Sequence, residues 1–226
     1  MADPKEAAAQ RVQDYIRPGM VVGLGSGSTA AKAIRLLGGR VQQGLAIRAI
    51  PTSRAAASLA AEYGIELTDL EEVAAVDLTF DGADEVDPAL NLVKGLGGAL
   101  LREKVVASVT HHQLILVDPG KLVPRLGTRA PVPVEVVPFA RAAVARRLER
   151  EGHRVELCRE GDGPFVTDNG NHILHCWVPA GIPDPAALDA WLNALPGVVG
   201  HGLFIGLAHT VIVGQESGDC RLLGRS

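Results

Sequence analysis

Residues 20–30 read Met20-Val21-Val22-Gly23-Leu24-Gly25-Ser26-Gly27-Ser28-Thr29-Ala30. A short, mostly apolar run ends at Leu24 and enters a loop of glycines and hydroxyl residues, and from Ala30 to Leu37 the apolar spacing is that of a helix. Working outward, the same alternation recurs. Ala46 to Ile50 reads as a second strand, followed by Pro51-Thr52-Ser53 and an alanine-rich helix from about Arg54 to Tyr63. Ile65 to Leu67 reads as a third short strand, and Val76 to Phe80 as a fourth that runs into Asp81-Gly82-Ala83-Asp84-Glu85. Lys94 to Thr110 reads as a glycine-rich turn and a helix, with His111-His112 at the helix end. Leu114 to Val117 follows as a strand that stops at Asp118-Pro119-Gly120. Ahead of all this, residues 5–17 put Ala8, Val12, Tyr15 and Ile16 on one helical face, closed by Pro18-Gly19. Buried strands alternating with amphipathic helices predict a parallel sheet wrapped by helices.

The texture changes near Leu126. Pro131, Pro133 and Pro138 crowd the segment LGTRAPVPVEVVPFA, which reads as a linker or an edge segment. A basic helix (Arg141 to Glu151), strands (His153 to Cys158, Phe165-Val166, His172 to Val178) and a helix from Pro185 to Leu195 follow, the last with Asp184 as N-cap. The expected architecture is therefore α/β. A Rossmann-like parallel-sheet domain spans 1–126 plus 200–226, and a smaller α+β, ferredoxin-like domain spans 127–199. The tail runs, GLFIG and then AHTVIVG, are expected to return to the first sheet.

Composition removes several classes of function. The chain has 226 residues with 22 basic and 26 acidic side chains, a net charge of −4, and only 4% aromatic residues. Such a chain is poorly suited to a polyanionic backbone or to stacking on bases, so no nucleic-acid partner is expected. No stretch approaches 18 uninterrupted apolar residues, and the opening MADPKEAAAQ lacks the apolar run of a leader, so no membrane partner is expected. Cys158, Cys176 and Cys220 form no CxxC pair. The expected setting is a reducing cytoplasm.

Three loops carry the chemistry. Glycines in Gly23–Thr29 expose backbone N–H groups, Ser and Thr add hydroxyls, and a helix points its positive end at the loop, which together suit a phosphate. A plain tight turn is the alternative. A dinucleotide site needs an acid after the second strand, where Ile50-Pro51-Thr52 stands instead. Asp81 and Asp84 can both face one pocket, as Mg²⁺ ligands or as acid–base groups. A capping Asp with solvated neighbours is the bland alternative. In Lys94-Gly95-Leu96-Gly97-Gly98, the glycines admit a ligand and Lys94 can stabilise an oxyanion. Glu103, early in the next helix, can act as a base, although Arg102-Glu103-Lys104 also fits a solvated helix face. His172 and His175 are three apart in a strand-like run and point to opposite faces, so they do not share a metal.

Taken together, GSGSTA, DGADEVDP, KGLGGALLREK, LGTRAPVPVEVVPFA, VTDNGN and PGVVGHGLF resemble the A type of ribose-5-phosphate isomerase, in that family's order and over nearly the whole chain. The resemblance implies an aldose–ketose isomerase acting on D-ribose 5-phosphate and D-ribulose 5-phosphate, with no metal and no cofactor. By the family pattern, Glu103 is the base and Lys94 the oxyanion partner, and Asp81 and Asp84 bind sugar hydroxyls and assist ring opening. Ser26, Gly27, Ser28 and Thr29 form the substrate loop. Gly82, Ala83, Gly95, Leu96 and Gly97 line the substrate, and Lys121 and Lys5 are auxiliary lysines on the phosphate side. The family also implies a homodimer or homotetramer. Leu96 stands where many relatives have Gly, Gly120 where Ser is usual, and Gly200 where a larger residue is common. An amino-sugar phosphate deaminase and a sugar-phosphate-sensing regulatory domain are the alternatives. The second would need an attached DNA-binding module, and no basic recognition helix precedes the first predicted helix.

Overall fold

The computed structural model describes residues 1–224. In chain order the regular elements begin with α1 (Pro4–Val12), β1 (Val21–Leu24), α2 (Gly27–Gln42), β2 (Arg48–Pro51), α3 (Arg54–Glu62), β3 (Val76–Gly82), β4 (Glu85–Val86) and β5 (Leu92–Val93). There follow α4 (Leu100–Ser108), β6 (Thr110–Val117), β7 (Val132–Val136), α5 (Arg141–Arg150), β8 (Arg154–Leu157), β9 (Arg159–Glu160) and β10 (Gly163–Pro164). The last are β11 (His172–Trp177), α6 (Pro185–Asn193), β12 (Val198–His201), β13 (Leu203–Phe204), β14 (Thr210–Gly214) and β15 (Cys220–Gly224). The chain divides into two compact units, one of Met1–Ala83, Arg102–Lys121 and the chain from Leu207 on, the other of Asp84–Leu101 and Leu122–Gly206. Residues 84–101, 122–126 and 200–206, which the sequence reading leaves with the larger region, lie in the second unit.

The first unit is built on a six-stranded sheet in the order β15-β14-β6-β3-β1-β2. All pairs are parallel except β14 with β15. Strands buried on both faces need uninterrupted apolar side chains, and β1 is buried at all four positions. Close approach requires glycine at Gly23 and Gly38 among other places in this unit: a Cβ on Gly23 would lie 2.0 Å from Thr79 Oγ1, and one on Gly38 would lie 2.3 Å from the Tyr63 Cβ. Helix starts follow local chemistry. Asp3 accepts from the Lys5 N–H ahead of Pro4, and Ser53 accepts from the Ala56 N–H.

The second unit holds a four-stranded antiparallel sheet in the order β12-β7-β11-β8. With α5 after β7 and α6 after β11, this is the βαββαβ, 4-1-3-2 order of a ferredoxin-like unit. A separate three-stranded sheet runs β13-β5-β4.

Four sequence expectations need correction. LGTRAPVPVEVVPFA contains β7, an inner strand buried at every position, rather than a linker or edge. The Pro133 carbonyl accepts from the Gly202 N–H, on the side where β12 has already ended at His201. The missing proline N–H therefore falls beyond a strand end and breaks no ladder bond. Of the GLFIG and AHTVIVG runs, only the second joins the first sheet, as β14; Leu203–Phe204 pairs with β5. Ile65–Leu67 is shortened to a single parallel bridge between Leu67 and Ala49, with the Ala49 N–H on the Glu66 carbonyl and the Thr68 N–H on the Ala49 carbonyl. His111-His112 lies in β6 and not at a helix end, because α4 stops at Ser108, where the Ser108 and Thr110 hydroxyls bond back to the Val105 and Val106 carbonyls.

The His112 ring stacks between Tyr15 (6.1 Å) and His209 (5.5 Å). Burial first, then the nearby His209 charge, lowers its pKa from the ordinary 6.5. Burial also lowers His153 and His175, against opposing carboxylates. A histidine that protonates less readily when folded contributes stability that is complete above the unfolded pKa near 6.5 and is lost as pH falls below it. The thermal midpoint should therefore drop between pH 7.5 and 5.5, above the usual carboxylate range, and His112→Asn should flatten that drop. Calorimetry at the two pH values checks this, and a midpoint that holds or rises at pH 5.5 contradicts it.

Candidate active site

In the first unit the strand order β2-β1-β3-β6-β14 reverses direction between β1 and β3. Doubly wound sheets bind ligands at the carboxyl ends of the strands flanking such a reversal. GSGST, which runs from β1 into α2, and Asp81-Gly82-Ala83, at the carboxyl end of β3, meet there. Asp81 Oδ1 accepts from the Ser26 N–H (3.0 Å) and from the Gly82 N–H (2.7 Å). The contact requires Gly25, where a Cβ would lie 2.4 Å from the Asp81 carboxyl carbon. Gly27, at φ +88°, turns the chain into α2. Ser26 is the N-cap but makes no side-chain cap bond. Its hydroxyl instead donates to Ser53 Oγ (2.8 Å) and lies 3.0 Å from Thr52 Oγ1. The first turn of α2 thus presents its N–H groups without a capping side chain, as an anion cradle needs. Thr29 is buried at the base of that turn, and Lys5 Nζ donates to Ser28 Oγ at 3.1 Å. Lys121 stands in a short turn after β6, its backbone N–H on the Asp118 carbonyl.

Glu103 lies in the first turn of α4 and is 5% exposed. That removes the solvated-face reading of Arg102-Glu103-Lys104. A carboxylate buried at this position is held for chemistry or structure and not for solubility.

The second unit carries the other candidates. Asp84 receives the Leu96 N–H on Oδ2 (3.1 Å), and its own N–H bonds to the Val93 carbonyl. The Lys94 side chain is 2% exposed, with Nζ 5.4 Å from the centroid of the Phe204 ring, a cation–π distance. Its backbone N–H bonds to the Gly202 carbonyl, and Gly202 must be glycine because a Cβ there would lie 2.1 Å from the Lys94 carbonyl oxygen. Gly95 (φ +97°) and Gly98 (φ +84°) make the turn that follows, closed by the Gly98 N–H on the Gly95 carbonyl. Leu96 is not among the residues at positive φ, so its departure from glycine costs the loop nothing in backbone strain. Gly200 has Leu101 Cδ1 3.1 Å from the place a Cβ would take, and Gly120 takes a bond from its N–H to Asp118 Oδ1.

Sequence reading missed four supporting residues. Thr52 and Ser53 follow β2 and close the cradle against Ser26. The signal was present, since they occupy the place where a dinucleotide site would have its acid. Glu85 is wholly buried and accepts three backbone N–H groups, from Gly127, Arg129 and Ala130. Buried His201 accepts the Leu203 N–H on Nδ1, which leaves the proton on Nε2 facing Asn193 Oδ1 (3.1 Å). It fixes the corner between β12 and β13 beside Lys94. Among the described residues, no group of three or more His, Cys, Asp and Glu side chains is placed to hold a metal ion. Among the same residues, no helix is long and apolar enough to cross a membrane.

Residues 48–218 match the family described as ribose 5-phosphate isomerase A (phosphoriboisomerase A). A ribose-5-phosphate isomerase A from Chloroflexus aurantiacus is 54% identical over 95% of this chain and 90% of its own. A solved D-ribose-5-phosphate isomerase in complex with phospho-erythronic acid superposes with a TM-score of 0.94, at 40% identity and 98% coverage of both chains. Ribose 5-phosphate isomerase A from Methanocaldococcus jannaschii gives 0.93, at 41% identity and 99% coverage of both. At that identity and coverage, with its loops built as described, the chain belongs to the ribose 5-phosphate isomerase A family.

Proposed function

We infer that the chain interconverts D-ribose 5-phosphate and D-ribulose 5-phosphate by proton transfer through an enediolate, without a metal. Family membership along nearly the whole chain supports the reaction, and the observation that carries the mechanism is the burial of Glu103. Moving a proton between adjacent carbons needs one base near a C–H bond and one electrophile near the carbonyl. Glu103 takes the proton from C2 of the open-chain aldose. The electrons of that bond form the C1–C2 double bond, and O1 takes the negative charge beside the Lys94 ammonium. The same carboxyl returns the proton to C1 as the O2 proton passes to O1 and the C2 carbonyl forms. Asp81, its Oδ1 engaged by Ser26 and Gly82, is held in one orientation to receive a sugar hydroxyl. Asp84, tied to Leu96, does the same and assists ring opening. The phosphate sits on Ser26, Gly27, Ser28 and Thr29, with Lys5 and Lys121 adding positive charge. Gly82, Ala83, Gly95, Leu96 and Gly97 line the sugar. A relative that holds phospho-erythronic acid supports a phosphorylated sugar chain as the ligand class. Neither the deaminase nor the sensor reading is favoured by the family.

We assign the enzyme to the cytoplasm, in keeping with three unpaired thiols, and to a homodimer or homotetramer by its family. Light scattering that returns a monomer would overturn the assembly. Purified protein should isomerise ribose 5-phosphate in EDTA at an undiminished rate. Loss on chelation, restored by Mg²⁺, would overturn the metal-free step.

A further inference from the structure

The segment after β10 has no part in the reaction described above, yet a buried charge pins it. Glu135 on β7 is wholly buried. Its neighbours Val134 and Val136 point into the core of the second unit, so by strand alternation Glu135 points to the opposite sheet face. Oε1 accepts from Thr167 Oγ1 (2.9 Å), Asn169 Nδ2 (3.2 Å) and Asn171 Nδ2 (3.0 Å), while Oε2 has no hydrogen-bond partner among the described residues. The turn 167–171 is already closed by backbone bonds, from the Thr167 N–H to Asn171 and from the Gly170 N–H to Thr167. A desolvated carboxylate with one bare oxygen is more than closing that turn requires.

Phe165 lies two residues before Thr167, and its backbone N–H bonds to the Cys158 carbonyl (2.9 Å). A Cβ built on Gly98 would lie 2.4 Å from both Cε1 and Cζ of the Phe165 ring. The ring therefore rests directly on the Gly98 backbone. Gly98 closes the turn that begins after Lys94, and inside that turn the Leu96 N–H is fixed by Asp84.

We propose that Phe165, secured through the Glu135 anchor, is a positioning residue that sets the place of the Lys94 loop against Asp84. This rests on the assignment of Lys94 and Asp84 to the sugar. A displacement of about 1 Å at an oxyanion partner costs up to about 10²-fold in rate, so a ring stacked on the loop backbone is a credible control on turnover.

The test is a double-mutant cycle on the full-length enzyme. Phe165→Ala should lower kcat about tenfold, with KM changed by less than about threefold, and Phe165→Leu should restore most of kcat. In a Lys94→Met background, Phe165→Ala should lower kcat no further, because the group it positions is gone. An equal loss in both backgrounds, or a kcat within twofold of wild type, overturns the proposal. Glu135→Ala, which takes the shared acceptor away from Thr167, Asn169 and Asn171, should give the same kcat loss as Phe165→Ala. Should Glu135→Ala fail to fold, the half-buried Phe165 series decides alone. If Lys94→Met itself leaves turnover intact, the reaction assignment fails rather than this one. If Lys94→Met abolishes turnover and Phe165→Ala does not reduce it, only the positioning role fails.

Discussion

Glu103→Gln lowers kcat for ribose 5-phosphate by about 10²-fold or more and leaves ligand binding within a few-fold. The substitution keeps the length and the acceptor oxygen of the side chain and removes only its ability to take a proton. Because Glu103 is buried in the first turn of a helix, the amide occupies the same place with little repacking. The loss is therefore of chemistry and not of the site. Phospho-erythronic acid, a ligand of a solved relative, separates the two: its affinity by calorimetry should be nearly unchanged. Near-normal turnover would mean that another group is the base. Equal losses in turnover and in this affinity would mean that Glu103 holds the site together instead.

Glu85→Ala lowers the thermal midpoint by about 6 °C or more, through the second unit. Three backbone N–H groups, those of Gly127, Arg129 and Ala130, converge on this wholly buried carboxylate. Each buried donor left unsatisfied costs about 1–3 kcal/mol, so the total reaches about 3 kcal/mol or more of a typical 5–15. For a chain of this size each kcal/mol shifts the midpoint by about 2–4 °C. Glu85→Gln retains an acceptor and should fall between the two. A Glu85→Ala midpoint within about a degree of wild type would show that the loop finds other partners.

How far the site was legible follows from the range of the interactions. GSGST and DGAD announce themselves because each is a local object: a strand end, glycines for a turn, and small polar residues in the same few positions. Glu103 and Lys94 stand out by type and spacing, but their burial does not, since R-E-K reads as surface until tertiary contacts cover it. Nothing local marks Glu85 beside Asp81 and Asp84, because its partners lie more than forty residues away on a loop with no signature of its own. β7 was misread for a related reason. Three prolines argue for an edge, and only the early end of β12 shows why Pro133 is harmless. The stacked His112 looked like a helix terminus because its partners, Tyr15 and His209, come from far apart in the chain.

The chain leaves the first unit after Ala83, returns at Arg102, leaves again after Lys121 and comes back at Leu207. During synthesis, β14 and β15 emerge after every strand of the second unit, although β14 must lie along β6. The parallel sheet therefore waits on the ribosome with one side of β6 open while the later-starting unit already has all its strands. Unlike proteins whose amino-terminal portion closes first, this one seals its larger layer last.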